Sequence, residues 1–126
     1  MNTKTVFITG AATGIGMVTA KKLDQLGWYV FAGVLPNQNT DELTKNSSER
    51  LTVVVIDITN EELVKQAVAI VQQIVGNNGL NALINNAGVA NIASGILEGV
   101  SMDEVRKIFE INVFGTLRVT QAFLPL

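Results

Sequence analysis

Short apolar runs alternate with segments of helical periodicity along this chain, and this alternation restricts the fold more than any other feature. The runs at residues 5–9, 29–33, 51–56 and 80–85 have the length and the branched side chains of β-strands. The segments between them predict helices. Repeated strand-helix-strand units favour right-handed crossovers between parallel strands. The sequence therefore predicts an α/β fold with helices on both faces of a parallel sheet.

The third strand and the helix after it carry the most detailed apolar pattern. Residues 53–56 read Val-Val-Val-Ile, apolar on both sides, which is typical of a central parallel strand covered by helices on each face. Leu63, Ala67, Ile70 and Ile74 recur at helical spacing and predict the buried face of the next helix.

Capping signals and loops complete the prediction of the elements. Residues 59–62, Thr-Asn-Glu-Glu, indicate a capping box that begins the third helical segment. Residues 101–104, Ser-Met-Asp-Glu, indicate another that begins the last helix. Residues 36–40 and 86–100 are predicted to form the long loops.

Composition excludes several kinds of chemistry. The 126 residues contain no Cys, hence no disulfide or thiolate nucleophile, and no His, hence no imidazole base or His-type metal site. A net charge of −2 without a long basic run argues against nucleic acid as a partner. No signal-peptide pattern is present, and no apolar run approaches the roughly 20 residues that span a bilayer. We expect residues 1–126 to form a single domain, cytoplasmic and without a metal.

Three glycines separate the first strand from the first helix, which is predicted to run to about residue 26. Gly10, Gly14 and Gly16 lie where a pyrophosphate would meet the amides at a helix end. We expect Gly10 to permit the turn, Gly14 to let phosphate approach the backbone, and Gly16 to let the helix pack on the sheet. The spacing is Gly-x3-Gly-x-Gly and not the commoner Gly-x-Gly-x2-Gly, so on its own the loop is equally well interpreted as an ordinary tight turn.

Further motifs follow in order. Asp-Ile-Thr at residues 57–59 follows the third strand, Asn-Asn-Ala-Gly at 85–88 follows the fourth, and Asn112 lies within Ile-Asn-Val-Phe-Gly in the last helix. With the glycine loop, this ordered set resembles the short-chain dehydrogenase/reductase family over the whole chain. Residues 31–35 and 79–83 are most similar to its retinol, steroid and hydroxybutyrate dehydrogenase branch. The resemblance implies a three-layer Rossmann-type fold with strand order 3-2-1-4, truncated before the fifth strand, and NAD or NADP as cofactor.

The resemblance also assigns roles to single residues. Asp57 would accept a hydrogen bond from the adenine amino group, although a strand-end Asp that begins a turn is the alternative, and Ile58 would contact the ring. Asn85 and Asn86 would serve the cofactor ribose and tie neighbouring strands together, with Thr9 helping to fix their segment. The expected cofactor-binding residues are Gly10, Thr13, Gly14, Ile15, Gly16, Asp57, Ile58, Asn85, Asn86, Ala87 and Gly88.

Asn112 raises a physical question of its own. Val105, Phe109, Asn112 and Thr116 share one helical face, and an amide on an apolar stripe needs hydrogen-bond partners. The resemblance implies a supporting role for Asn112 in a water-linked proton relay. A satisfied core amide is the equal alternative.

The choice between NAD and NADP is weakly encoded. An acidic residue about 20 residues beyond the loop would hold the ribose 2′-hydroxyl of NAD, but the sequence there is Val34-Leu35-Pro36-Asn37. Neither Arg nor Lys stands there, or in the glycine loop, to meet the 2′-phosphate of NADP. The sequence slightly favours NAD.

The residues that would perform the family's chemistry are missing from these 126 residues. The resemblance implies a Tyr-x3-Lys pair and a serine on a fifth strand, whereas the only tyrosine, Tyr29, lies in a predicted core strand and is followed four residues later by Gly33. All candidate serines precede the expected position; they are Ser47, Ser48, Ser94 and Ser101. We expect a cofactor-binding portion that is catalytically incompetent alone. The alternatives are an enzyme completed by a second chain and a non-enzymatic, self-associating domain with a relic pocket.

Self-association is the last expectation. The implied strand order leaves the fourth strand without an outer neighbour, and an exposed apolar edge favours pairing. The last helix is apolar on more than one side, through Ile108, Ile111, Phe114 and Leu117, and in the family this helix contributes to an oligomer interface. We therefore predict a homodimer joined through the fourth strand, the last helix or both.

Overall fold

Strands and helices alternate along the chain as the sequence predicts. The computed structural model describes residues 3–90 and 95–126. A π-helical segment, Glu110–Gly115, joins the last two α-helices, and short 3-10 turns span Gly76–Asn78 and Leu97–Gly99. The principal elements are β1 (Thr5–Ile8), α1 (Gly14–Gln25), β2 (Tyr29–Val34), α2 (Asp41–Thr44), β3 (Leu51–Val55), α3 (Glu61–Val75), β4 (Ala82–Ile84), α4 (Met102–Phe109) and α5 (Thr116–Phe123).

The strands form one parallel sheet in the order β3-β2-β1-β4, which confirms both the α/β fold and the implied strand order. Phe7 of β1 lies level with Phe31 of β2 on one side and with Leu83 of β4 on the other. The first three strands match their predicted bounds within a residue, and β4 is shorter than predicted. Leu80, which was expected in β4, instead donates its amide to the carbonyl oxygen of Leu126.

Helices cover both faces of the sheet because side chains alternate along each strand. Phe7 and Phe31 project into a core shared with α3 and α5, in which the ring centroids of Phe7 and Phe123 are 4.5 Å apart. Val6 and Ile8 project to the other face, into a core shared with α1. The three layers therefore hold the carboxyl ends of all four strands at one edge of the sheet.

Two predicted details of burial are wrong. Within residues 3–90 and 95–126, β3 is an edge strand paired with β2 alone, so Val55 is exposed although Val54 is buried. In α3, only Ala67 of the predicted stripe is buried, and Ile70 and Ile74 are 42% and 46% exposed. The buried face is offset by one position and consists of Val64, Ala67, Val71 and Val75. Two apolar stripes run along this helix, and packing against the sheet selects one of them.

The two predicted capping boxes have different outcomes. Ser101 and Glu104 form the predicted reciprocal pair: the Ser101 hydroxyl accepts from the Glu104 amide at 3.1 Å, and the Glu104 carboxylate accepts from the Ser101 amide at 2.9 Å. At α3 the N-cap is Asn60, whose Oδ1 accepts from the Leu63 amide at 3.0 Å. Thr59 does not cap the helix because its hydroxyl bonds to Asp57, so the box predicted at residues 59–62 is wrong.

The predicted last helix is divided by the π-helical segment between α4 and α5. Each π turn contains more residues than an α turn, so the side chains after the segment are rotated relative to those before it. Nothing in the sequence pattern predicted this change. Among the helices of the described ranges, none is long and apolar enough to cross a membrane.

Candidate functional site

A cavity of about 690 Å³ opens at the carboxyl edge of the sheet. It is bounded by the loops that follow the four strands, and by the end of α4 together with the start of the π-helical segment. In open parallel sheets, ligands bind at this edge. The lining residues are Thr9, Gly10, Thr13, Gly14, Ile15, Leu35, Gln38, Ile56, Asp57, Ile58, Thr59, Asn86, Ala87, Gly88, Val89, Lys107, Glu110 and Ile111.

The glycine loop forms one wall of this cavity. Gly10 and Gly14 have φ angles of +65° and +56°, a region that side-chain-bearing residues rarely adopt. No atom of the described residues would lie within 4 Å of a Cβ atom at Gly14, so the backbone there is open to a ligand. A Cβ atom at Gly16 would overlap the carbonyl oxygen of Gly10 and the side chain of Asn86. Gly16 thus lets α1 approach the two loops that contain Gly10 and Asn86. The sequence predicted a close approach of α1 to the sheet instead.

The beginning of α1 points its free amides at the same wall. The first amides of a helix have no acceptor within the helix, and the helix dipole makes this end favourable for an anion. Thr13 occupies the N-cap position and makes no side-chain capping bond, and the first turn contains no acidic residue. The loop can therefore hold a phosphate group without competition from a carboxylate.

Thr9 and Asn86 tie the glycine loop to the loop after β4. The buried Thr9 hydroxyl oxygen accepts from the amides of Asn86 at 3.0 Å and Ala87 at 2.9 Å. In return, Asn86 Nδ2 donates to the carbonyl oxygens of Thr9 at 3.1 Å and Gly10 at 3.0 Å. The predicted contact of Thr9 with this segment is present. It fixes the distance between two walls of the cavity.

Asn85 lies elsewhere. Its Nδ2 donates to the Thr120 hydroxyl of α5 at 3.0 Å, and it does not line the cavity. Apart from Asn85 and Gly16, every residue predicted to contact a cofactor lines the cavity. The sequence could not separate Asn85 from Asn86 because both stand at the end of the same strand, and only the direction of each side chain distinguishes them.

Asp57 serves a turn and also lines the cavity. Its Oδ1 accepts from the amide of Thr59 at 2.9 Å and from its hydroxyl at 2.7 Å, as expected of a strand-end Asp that begins a turn. Within the described ranges Oδ2 has no hydrogen-bond partner, so this oxygen can accept from a ligand. The neighbouring Ile58 is buried, and its side chain packs against Gly115, where a Cβ atom would lie 2.7 Å from Ile58 Cγ1.

Asn112 holds the loop after β4 from the other side. Its Oδ1 accepts from the Val89 amide at 2.8 Å and its Nδ2 donates to the Val89 carbonyl at 2.7 Å. The alternative of a satisfied core amide is wrong, because Asn112 and Phe109 are both exposed. The amide therefore finds partners in a backbone at the cavity rim and not in the core.

Several residues that line the cavity were not predicted to do so, and one of them, Ile111, was expected at an oligomer interface instead. The i, i+3, i+4 spacing places three of them, Lys107, Glu110 and Ile111, on one helix face. This spacing could have predicted that they face the same side. Gln38 lines the cavity near the end of β2, where its Oε1 accepts from the Leu35 amide at 3.0 Å. It stands in a predicted loop without any motif.

The remaining polar candidates have structural partners. The Tyr29 hydroxyl lies 3.1 Å from the Thr52 hydroxyl, between β2 and the edge strand β3. Ser48 donates its amide and hydroxyl to the buried Asp24, and Ser101 caps α4. Ser94 lies outside the described residues. Within residues 3–90 and 95–126, no group of three or more Asp or Glu side chains is placed to hold a metal ion.

Comparison with known proteins places this cavity in a family context. The family model described as short chain dehydrogenase matches residues 4–126. Estradiol 17-beta-dehydrogenase 2 of Mus musculus is 44% identical over 127 residues, which cover 98% of this chain and 32% of that protein. Retinol dehydrogenase 16 of Mus musculus is 37% identical over 123 residues, which cover 98% of this chain and 38% of that protein. The chain thus spans about a third of the length of these relatives, and their names confirm the similarity to steroid and retinol dehydrogenases.

Solved structures share the whole described fold. The NADPH-bound carbonyl reductase from chicken fatty liver superposes with a TM-score of 0.89 at 30% identity, covering 99% of this chain and 48% of that one. A short chain dehydrogenase from Burkholderia cenocepacia J2315 in complex with NADP superposes with a TM-score of 0.79 at 32% identity, covering 98% of this chain and 48% of that one.

Proposed function

We propose that this chain, which belongs to the short-chain dehydrogenase family, binds a nicotinamide dinucleotide in its cavity. One observation carries the proposal. The glycine loop, the Asp57-Ile58 segment and the Asn86-Ala87-Gly88 loop, which are far apart in the sequence, line a single cavity at the carboxyl edge of the sheet. The chain corresponds to the amino-terminal half of the family's fold.

Each part of the cavity suits one part of the ligand. The amides at the start of α1 and the open side of Gly14 suit a pyrophosphate. The unpaired Oδ2 of Asp57 suits the adenine amino group, and Ile58 supplies an apolar edge for the ring. Ala87 and Gly88 belong to the loop after β4, which Thr9 and Asn112 hold in place. This wall of the cavity suits the ribose at the nicotinamide end of the dinucleotide.

The part of the cavity that would face the 2′-position of the adenosine ribose is compatible with both NAD and NADP. At the end of β2 the cavity is lined by Leu35 and Gln38, which carry no charge to repel or attract a phosphate. The slight preference for NAD in the sequence finds no support in the two solved structures named above, which hold NADPH and NADP. We therefore propose the ligand class and not the individual cofactor.

We further propose that these residues bind the dinucleotide without turning over a substrate. Family members transfer hydride between this cofactor and an alcohol or carbonyl, which needs an acid/base group close to the reacting atoms. The only tyrosine of the chain, Tyr29, is paired with Thr52 between β2 and β3 and does not line the cavity. An assay of this chain with NAD or NADP and a panel of steroid and retinoid alcohols should show no product.

Self-association forms part of the same proposal. Phe109, Val113, Phe114 and Leu117 leave about half of their surface exposed along one helical run. Within the described part of the chain, β4 pairs with β1 alone. Exposed apolar surface of this kind is typical of an interface, and a homodimer through the helical run, the β4 edge or both would cover it.

Calorimetric titration of this chain with NAD and then with NADP tests the ligand proposal. Saturable binding of either dinucleotide with one site per chain is the expected result, and the ratio of the two Kd values measures the preference. The absence of binding of both at millimolar concentration would favour a relic pocket and overturn the proposal.

A further inference from the structure

Arg118 of α5 connects two walls of the cavity although it does not line the cavity itself. Its Nη1 donates to the carbonyl oxygen of Ile58 at 2.6 Å, and its Nη2 donates to the Glu110 carboxylate at 2.9 Å. The Arg118 side chain is only 28% exposed. One guanidinium thus joins the loop after β3 to the π-helical segment.

The contact at Ile58 determines where Asp57 stands. The carbonyl of Ile58 and the amide of Thr59 belong to the same peptide group. Arg118 holds the carbonyl of this peptide, and Asp57 Oδ1 accepts from its amide. On the opposite side, the Ile58 side chain fills the space that Gly115 leaves free. The segment is therefore held through its backbone by Arg118 and through its side chain by the helix. Since Oδ1 of Asp57 is bound to Thr59, the direction of Oδ2 depends on this peptide.

The contact at Glu110 determines the direction of the guanidinium. A planar guanidinium with a fixed fork of donors is oriented by two acceptors in a way that an ammonium is not. Glu110 also lines the cavity. The ion pair of Arg118 with Glu110 therefore connects the π-helical segment to the loop after β3. Partly exposed ion pairs of this kind add little to folding stability, so orientation is the larger effect.

We propose that Arg118, oriented by Glu110, is a positioning residue that holds the Asp57-Ile58 segment in the geometry that recognises adenine. This inference rests on the proposed dinucleotide function. It assigns to Arg118 an effect on the base of the ligand without any contact with the ligand.

The test compares the tighter-binding dinucleotide with its hypoxanthine analogue, in which a keto oxygen replaces the adenine amino group. We expect the unsubstituted chain to bind the adenine form about tenfold more tightly, as one hydrogen bond allows. Arg118→Met should bring the ratio of the two Kd values close to one. Arg118→Lys, which can still reach one acceptor, should give an intermediate ratio. A general loss of stability would weaken both ligands equally and leave the ratio unchanged.

Arg106→Met is the matched control. Arg106 lies in the same helical run and pairs with Asp103, but its side chain is 70% exposed and does not line the cavity. This variant should keep the ratio of the unsubstituted chain. If Arg118→Met does not fold, as judged by circular dichroism, Glu110→Gln takes its place and should lower the ratio in the same direction, because the acceptor loses its charge.

The outcomes separate the two proposals. An unchanged ratio in folded Arg118→Met, or in Glu110→Gln where it replaces that variant, would overturn this inference and leave the dinucleotide function intact. Equal affinity of the unsubstituted chain for both ligands would overturn recognition of the adenine amino group and the positioning role with it. No binding of any dinucleotide would overturn the proposed function and this inference together.

Discussion

The side chain of Asn112 bonds to both backbone groups of Val89, with Oδ1 2.8 Å from the amide nitrogen and Nδ2 2.7 Å from the carbonyl oxygen. A side-chain amide offers one donor and one acceptor side by side, and here both are used by a single residue of a loop. The pairing attaches the loop after β4 to the π-helical segment. Gly88 lies close beneath it, where a Cβ atom would be 3.2 Å from Asn112 Oδ1.

Replacement of Asn112 should therefore loosen one wall of the cavity. In Asn112→Asp the Val89 amide keeps its acceptor, but the Val89 carbonyl loses its donor and faces a carboxylate. We expect a loss of about 1–2 kcal/mol in the free energy of unfolding, and faster amide exchange at residues 87–90. Urea denaturation and hydrogen exchange measure the two effects. Gln72→Glu, which removes a comparable exposed donor to Gly76, is the control and should leave residues 87–90 unchanged.

Gly14 should tolerate a side chain structurally but not functionally. Gly14→Leu puts a side chain into open space at φ +56°, where it costs about 1 kcal/mol in stability and covers the amides at the start of α1. Dinucleotide affinity should fall at least about a hundredfold, a change readily seen by calorimetry, since the charge-assisted phosphate contacts are lost.

Gly76→Leu is the control for that substitution. Gly76 has φ +54° and open space around its Cβ position, and it lies at the end of α3, outside the cavity lining. Its ψ is −134°, a backbone conformation that only glycine adopts readily, so the variant should lose stability while its dinucleotide affinity stays unchanged. Equal affinity of both variants for dinucleotide would contradict a phosphate site at the glycine loop.

Asp57→Asn should reverse the preference for the base. The amide oxygen can keep the bonds to Thr59, which leaves Nδ2, a donor, where the carboxylate has an acceptor. We expect weaker binding of the adenine dinucleotide and tighter binding of the hypoxanthine analogue, with the ratio of Kd values changing by about tenfold or more. Asp103→Asn at the exposed start of α4 should change neither value. A ratio that Asp57→Asn leaves unaltered would show that the carboxylate serves the turn alone.

Leu117→Glu should prevent self-association. Leu117 is 51% exposed in the helical run where Phe114 is also half exposed, and a carboxylate there would lose hydration in any apolar interface. Sedimentation equilibrium should show a dimer for the unsubstituted chain and a monomer for the variant. Leu26→Glu, at a 62% exposed position after α1, should remain dimeric. A monomeric unsubstituted chain across a wide concentration range would refute the dimer.

The site was predictable where a short motif specifies local geometry. Gly10, Gly14 and Asp57 follow strands whose carboxyl ends must meet in a parallel sheet, so their convergence follows from strand order alone. Gln38 and Arg118 carry no motif. Arg118 reaches Ile58 across 60 positions of sequence, and that contact exists only because α5 packs beside the end of β3.

The sequence was also insufficient to predict which residues of a helix are buried. The periodicity of α3 correctly predicted a helix, since apolar residues recur every three or four positions. It could not decide between the stripe containing Ile70 and Ile74 and the one containing Val71 and Val75, because both have that spacing. Packing of α3 against the sheet buries the stripe that contains Val71 and Val75.

The sequence by itself determined the alternation of strands and helices, the parallel sheet and the family motifs, because these depend on local propensity and on short-range spacing. Tertiary structure alone decided which asparagine faces the cavity, which apolar stripe of α3 is buried, and that Asn112 meets a backbone and not the core. Those outcomes depend on the direction of individual side chains after packing. A one-residue rotation of a helix changes them without changing the pattern from which the helix was predicted.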